Sequence, residues 1–319
     1  MPSESAPHSA AVVFPGQGSQ RSGMARDFHT RFASSRDAFV EASDALNFDV
    51  AALCFEADPR LDQTEYTQPA ILTAEIAMHR ALESEFGLRA KYYGGHSLGE
   101  YTALCAAGVI SLSTAVQLVR RRGALMQSAV PLGEGAMLAV ISEGIADRDL
   151  AAELAASGVD GVDVANRNSI NQVVLSGARE TIDRAAVRVA EILTGIPHEI
   201  VPLNVSAPFH SRMMRGIHAD FRAALGAAAH ELKPDRAATV TSNLTGAFHQ
   251  PELAPILDAL TRQLSGTVDW IGNMRALSSV ADTIYEVGPN RPLRGFFKSE
   301  GRDVTAIVSV RSAEMGLAA

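Results

Sequence analysis

The apolar run from Ala10 to Phe14 is followed at once by Pro15-Gly16-Gln17-Gly18-Ser19-Gln20. An unbroken apolar stretch closed by proline and glycine predicts a buried strand ending in a tight loop. A helical stretch comes next. Further along, Thr67 stands before Pro69 as a candidate N-cap, and Ile71, Leu72, Ile76, Met78, Leu82 and Phe86 recur at helical spacing until Gly87 supplies a stop. Lys91 to Tyr93 then predicts a short strand, Gly94 to Gly99 a turn, and the small residues through Ala107 and Gly108 a helix. Strands alternating with helices predict a parallel α/β sheet.

From about Gly133 the pattern becomes self-contained. Ala136 to Ile141 predicts a strand, Asp147 to Ala156 a helix, Val162 to Ala165 and Gln172 to Ser176 strands, Arg179 to Leu193 a helix, and His198 to Leu203 a strand. That order is βαββαβ, the ferredoxin-like arrangement. After Val205 the larger pattern resumes, with strands at Thr239 to Ser242 and Thr283 to Val287 and a helix at Pro251 to Leu264. The expected fold is therefore α/β: a large α/β-hydrolase-like domain with a parallel sheet over 10–132 and 205–319, carrying an inserted small ferredoxin-like domain over 133–204.

Composition narrows the class. Of the 319 residues, 47% are hydrophobic and 20% charged, which is enough apolar material for a folded enzyme-sized unit. No apolar run approaches the roughly 18 to 20 residues of a membrane span, and the polar leader Met1 to Ala10 has no secretory layout, so a cytoplasmic protein is expected. A net charge of -8 leaves no broad basic surface for nucleic acid. Local basic runs at Arg120 to Arg122 and across Arg291, Arg294, Lys298 and Arg302 suit a smaller acidic partner or a solvated face. Cys54 and Cys105 have no companions at metal-ligand spacing and read as small buried hydrophobes, so no metal site is expected.

Gly95-His96-Ser97-Leu98-Gly99 matches G-x-S-x-G between a predicted strand and a predicted helix. In that setting a serine sits on a strained turn and its small neighbours let the backbone fold sharply. A glycine-rich turn with an incidental serine is the blander reading of so short a pattern. A serine nucleophile needs a base within hydrogen-bond reach. Nine histidines are present. His96 adjoins the serine, and on a sharp turn its side chain points elsewhere. His8, His29, His79, His218, His230 and His249 fall in the leader or in polar or helical stretches and read as surface residues. His198 opens a predicted strand. His210 lies on a loop where the two domains should meet, and clefts between domains are where sites form.

The ordered set FPGQGSQ (14–20), TQPA (67–70), GHSLGEY (95–101), RGALMQ (122–127), NRNSINQVVLSG (166–177), SAPFHSRMM (206–214) and EVGP (286–289) resembles the malonyl-CoA:acyl carrier protein transacylases of fatty acid and polyketide synthesis. The resemblance runs from about Val12 to Phe296. It implies Ser97 as the acylated nucleophile, His210 as its base, and the amides of Gln17 and Leu98 as an oxyanion hole. Arg122 resembles the arginine that grips the malonyl carboxylate. Asn168 and Gln263 match amide residues near the histidine, and His96 and Phe209 flank the substrate. The resemblance further implies malonyl-CoA and an acyl carrier protein as partners, coenzyme A only as a substrate thioester with no bound cofactor, and a monomer. Gly94 stands where alanine is common in the family, and Arg167 and Ile170 are free choices in the asparagine loop.

Three other readings compete. A serine hydrolase, including an acyl hydrolase of the same fold, is one; if it acts on neutral acyl chains it has no use for a buried Arg122, since an unpaired buried cation costs roughly several kcal/mol. A silent carrier-docking module does not need both Ser97 and His210. A phosphate-binding loop at Pro15 to Gln20 lacks the lysine and hydroxyl of that pattern.

Overall fold

The computed structural model describes residues 9–317; the leader 1–8, with His8, lies outside the described residues. In chain order the strands are β1 (Ala10–Phe14), β2 (Tyr92–Gly95), β3 (Gly135–Ser142), β4 (Asp163–Ser169), β5 (Gln172–Ala178), β6 (His198–Pro202), β7 (Thr241–Ser242), β8 (Ala247–Phe248), β9 (Val268–Asp269), β10 (Thr283–Val287) and β11 (Thr305–Ile307). One sheet has the order β11-β10-β1-β2, with every pairing parallel. β7 and β8 form a two-stranded antiparallel sheet, and the remaining sheet has the order β6-β3-β5-β4-β9. Its first four strands pair antiparallel in the ferredoxin-like order, and the predicted βαββαβ succession is present, with helices Leu150–Ala156 and Arg179–Ile192 between the strands.

The alternating pleat of β1 explains how the two sheets come to share a core. Val12 and Phe14 face one apolar cluster with the helices Thr64–Glu85 and Leu112–Ser128, whereas Ala11 and Val13 face a second. That second cluster also holds Leu138, Val140 and Leu175 of the antiparallel sheet together with Trp270, Ile271 and Phe297. The inserted segment is thus less self-contained than its pattern suggests. It packs on the back of the parallel sheet and borrows β9, which pairs parallel with β4 through Asn166 and Arg167.

Two local expectations are corrected. Helix Thr64–Glu85 begins before Thr67, with Gln63 at its N-cap, and Pro69 lies inside it. Thr67 is instead tied by its hydroxyl, which donates to the carbonyls of Leu61 and Gln63. The segment before Thr241 is a 3-10 turn, Pro234–Thr239, so the predicted strand there shortens to β7.

Candidate active site

Strand β2 delivers Ser97 to the turn before helix Gly99–Ala106. The turn closes because glycine allows it: a Cβ on Gly95 would lie 2.0 Å from the carbonyl of Gly99, and one on Gly16 would lie 2.4 Å from that of His96. Ser97 itself has φ 54, a left-handed conformation that costs a side-chain-bearing residue roughly 1 to 3 kcal/mol. The strain is held by hydrogen bonds at both of its peptide ends. The Ser97 N–H donates to Oδ1 of Asn243 at 2.6 Å, and its carbonyl accepts from Nε2 of Gln263 at 3.0 Å.

Ser97 Oγ lies 2.7 Å from Nε2 of His210, on a loop where His210 is likewise left-handed at φ 55. The other ring nitrogen, Nδ1, lies 2.8 Å from the backbone carbonyl of Gln263. A carbonyl only accepts, so Nδ1 carries the proton and Nε2 is free to accept from the serine hydroxyl. Burial, and next the Arg122 charge, lower the pKa of His210 to about 3, so the imidazole is neutral and ready to act as a base.

Arg122 is 1% exposed and reaches the same oxygen. Its Nη2 donates to Ser97 Oγ at 3.1 Å and to Oε1 of Gln263 at 3.0 Å, its Nη1 donates to Oε1 of Gln68 at 3.0 Å, and the guanidinium stacks on the Tyr101 ring. All of its named partners are neutral, and Nε has none. Burial lowers its pKa from the ordinary arginine value. The nearby Glu100 charge opposes that lowering, and a buried planar guanidinium whose direct hydrogen-bond partners are neutral has the geometry to take a carboxylate. Of the neighbouring arginines, Arg120 pairs with Glu65 outside the cleft and Arg121 is exposed.

A cleft of about 680 Å³ opens over these groups, and Gln17, His96, Asn168 and Phe209 also line it. Leu98 is buried as the first residue of the turn into the helix. His96 donates from Nε2 to Oδ1 of Asn168 at 2.7 Å, with its ring against Trp270 and Phe296. The two amide residues expected near the histidine part company. Asn168 stands beside His96, not His210. Gln263, 1% exposed, lies behind the pair and braces it, so it does not line the cleft as a substrate contact. A more open groove of about 720 Å³, lined in part by Glu143, Asn171 and His198, holds no serine paired with a base.

Several participants carried no signal of their role in the sequence. Gln68 lies in TQPA and Glu100 in GHSLGEY, but Asn243 sits in a turn-like Ser-Asn-Leu-Thr-Gly run. Two histidines read as surface residues are buried. His249 donates to Oε1 of Glu100 at 2.8 Å, and His79 packs against Phe14 and Tyr93.

An α/β scaffold that presents serine, histidine and a buried arginine in one cleft defines a class, the serine acyl-transfer proteins. The chain belongs to the acyl transferase domain family, whose profile matches residues 11–288. It is 38% identical over 304 residues to the malonyl CoA-acyl carrier protein transacylase of Escherichia coli K12, covering 90% of this chain and 91% of that one. The Bacillus subtilis protein of the same name is 37% identical over 311 residues, 96% of this chain and 75% of that one. FabD from Acinetobacter baumannii superposes with a TM-score of 0.89 at 37% identity, covering 98% of each chain. A structure described as a type II PKS acyl-carrier protein in complex with its malonyl-transacylase aligns at TM-score 0.88 and 34% identity, covering 97% of this chain and 99% of that one. Among the described residues no helix is long and apolar enough to cross a membrane.

Proposed function

We propose that this chain moves a malonyl group from malonyl-CoA to the phosphopantetheine thiol of an acyl carrier protein through a malonyl ester on Ser97. The observation that carries the reading is one oxygen with two partners: Ser97 Oγ meets the base His210 at 2.7 Å and the cation Arg122 at 3.1 Å. A plain esterase needs the first contact. Only a substrate with a free carboxylate needs the second.

In the first half-reaction His210 Nε2 takes the hydroxyl proton as Ser97 Oγ bonds to the thioester carbon. The tetrahedral oxyanion is held by the amides of Gln17 and Leu98. The carbon–sulfur bond then breaks, and His210 returns its proton to the departing sulfur, so coenzyme A leaves as a thiol. The second half runs in reverse, with the carrier thiol giving its proton to His210 and attacking the ester. Arg122 binds the malonyl carboxylate throughout, while His96, Asn168 and Phe209 shape the space around it. Gln263 fixes the base. Losing one oxyanion donor typically costs about a hundred- to a thousandfold in rate.

Residues 133–204 act in this scheme as a small domain over the cleft between 10–132 and 205–319, and keep water from the ester. Helix Pro292–Ser299 sends Leu293 and Phe296 into the cleft and exposes Arg294 and Lys298 beside it, which supports an acidic carrier as the second substrate. No bound cofactor, a monomeric state and a cytoplasmic location belong to the same reading. The test is intact-mass analysis after mixing with malonyl-CoA. Wild type should gain one malonyl group that a carrier protein then removes, and Ser97→Ala should gain none. A Ser97→Ala protein that is malonylated to full occupancy overturns the assignment.

A further inference from the structure

Behind the serine turn lies a carboxylate that the reaction above does not use. Glu100 is fully buried on helix Gly99–Ala106. Its Oε2 accepts from the backbone N–H of Asn243 at 3.0 Å and from Nε2 of Gln263 at 2.7 Å, and its Oε1 accepts from Nε2 of His249 at 2.8 Å. Three donors converge on it, two from the β7–β8 hairpin and one from the end of helix Leu253–Gln263.

What those donors do next gives the carboxylate its meaning. The Asn243 side chain staples the nucleophile turn, accepting from the Ser97 N–H and donating to the Gly95 carbonyl at 2.7 Å. Gln263 holds the Ser97 carbonyl with Nε2, Arg122 with Oε1, and His210 with its backbone carbonyl. Beyond their direct contacts, and beside the hold of Gln68 on Arg122, Ser97, His210 and Arg122 are each tied to Asn243 or Gln263, and both of these are anchored on Glu100.

We propose that Glu100 is the positioning residue of the acyl-transfer site: it holds Asn243 and Gln263 in register, and through them the nucleophile, its base and the carboxylate-binding arginine. Among the described residues His210 has no acidic partner of its own, and this carboxylate stands one residue further back. One buried carboxylate thus backs two strained places, the Ser97 turn at φ 54 through Asn243 and Gln263 and the His210 loop at φ 55 through Gln263. The proposal rests on the roles given above to Ser97, His210 and Arg122.

The test is rapid-quench intact-mass measurement of the malonyl adduct on wild type, Ser97→Ala, Glu100→Ala, Glu100→Gln and Asn243→Ala, across malonyl-CoA concentrations. Glu100→Ala should reach the same final occupancy, but with a maximal acylation rate lower by about ten- to a hundredfold, the scale of loss expected when reacting groups shift by about 1 Å. Glu100→Gln should fall between the two, because its amide oxygen accepts at one end while His249 changes tautomer to meet the other. A merely structural role would lower the final occupancy, through loss of folded molecules, and leave the rate constant of the remainder intact. Should Glu100→Ala fail to fold, Asn243→Ala cuts one arm of the same network and must show the same loss of rate. Wild-type maximal rates in a folded Glu100→Ala or Asn243→Ala, or a loss confined to the half-saturating concentration, overturn the proposal. Malonylation of Ser97→Ala would instead sink the underlying reading of the site.

Discussion

Nη2 of Arg122 lies 3.1 Å from Oγ of Ser97, so the buried cation and the hydroxyl that faces His210 share a hydrogen bond. In the proposed reaction, selection of a dicarboxylic acyl group and activation of the nucleophile are consequently parts of one local arrangement. A carboxylate that draws the guanidinium toward itself weakens its hold on the serine oxygen.

Arg122→Ala is expected to lose malonyl acylation and to narrow the preference for malonyl-CoA over acetyl-CoA. A hydrogen bond to a charged group contributes about 1.5 to 3 kcal/mol, equivalent to roughly ten- to a hundredfold in discrimination. Specificity constants for both thioesters on wild type and variant measure it. An unchanged ratio would mean that the carboxylate is held elsewhere.

The acid limb of the kcat/KM profile should sit well below the ordinary histidine value of 6.5, because burial and the Arg122 charge bring His210 to about 3. The base works only when neutral, so a lowered pKa extends activity toward acid: a plateau through pH 8 to 5 is expected. Removing Arg122 takes away one of the depressing causes, and in Arg122→Ala the limb should move up. The same shift bears on stability with the opposite convenience. An unfolded histidine takes a proton below about 6.5 whereas the buried one does not, so this contribution is complete above that value and is lost as pH falls toward 3. His79, lowered by burial to about 4, acts in the same direction. Glu286, raised by burial to about 7, opposes both between its ordinary value of 4.5 and 7, which makes catalysis the cleaner readout. A wild-type limb at 6.5 would contradict the buried, neutral base.

Much of this architecture was legible because it rests on local pattern. The apolar run Ala10 to Phe14, the glycines around Ser97 and the βαββαβ succession each follow from residue type and spacing over a few positions. The pairing of β9 with β4 was not legible, since Val268 and Asp269 are too few to show any period. Nor was the burial of His249, whose partner Glu100 lies 149 positions away in sequence. Thr67 misled for a physical reason: a threonine two residues before a proline is a good helix start in isolation, but here the helix already begins at Thr64, whose first turn packs on Gly123, where a Cβ would come within 2.4 Å of the Thr64 carbonyl. Arg122 was separable from Arg120 and Arg121 only through the resemblance, because all three have the same charge and sit side by side.

Adjacent glycines in β2 should respond differently to alanine. At Gly95 the new Cβ meets backbone at 2.0 Å, which cannot move without opening the serine turn. At Gly94 it meets Cδ1 of Leu277 at 2.7 Å and Oγ1 of Thr241 at 2.8 Å, both side-chain atoms able to shift. Gly94→Ala is expected to cost about 1 to 3 kcal/mol as ordinary overpacking and to remain active. Gly95→Ala should abolish activity or folding. Thermal unfolding and adduct formation on both variants check this, and an active, stable Gly95→Ala would show that the elbow tolerates more than its geometry allows.

Phe209 immediately precedes His210, is 8% exposed, and contributes to the lining of the cleft while packing into the larger apolar core. In related acyltransferases an aromatic at this place accompanies malonyl use and a serine often accompanies a methyl-branched substrate. The physical ground is steric. A methyl on the α-carbon of the acyl group must displace the ring, and the ring is backed by the core, so accommodation resembles overpacking and costs about 1 to 3 kcal/mol. Wild type should therefore favour malonyl-CoA over methylmalonyl-CoA by roughly five- to a hundredfold. Phe209→Ser should shift the ratio toward methylmalonyl-CoA, with some loss of stability from the cavity it opens in the core. Specificity constants for both thioesters on both proteins decide the matter. If the two substrates fall by the same factor, Phe209 acts only by holding the His210 loop, and selectivity against the methyl branch must come from another wall of the cleft.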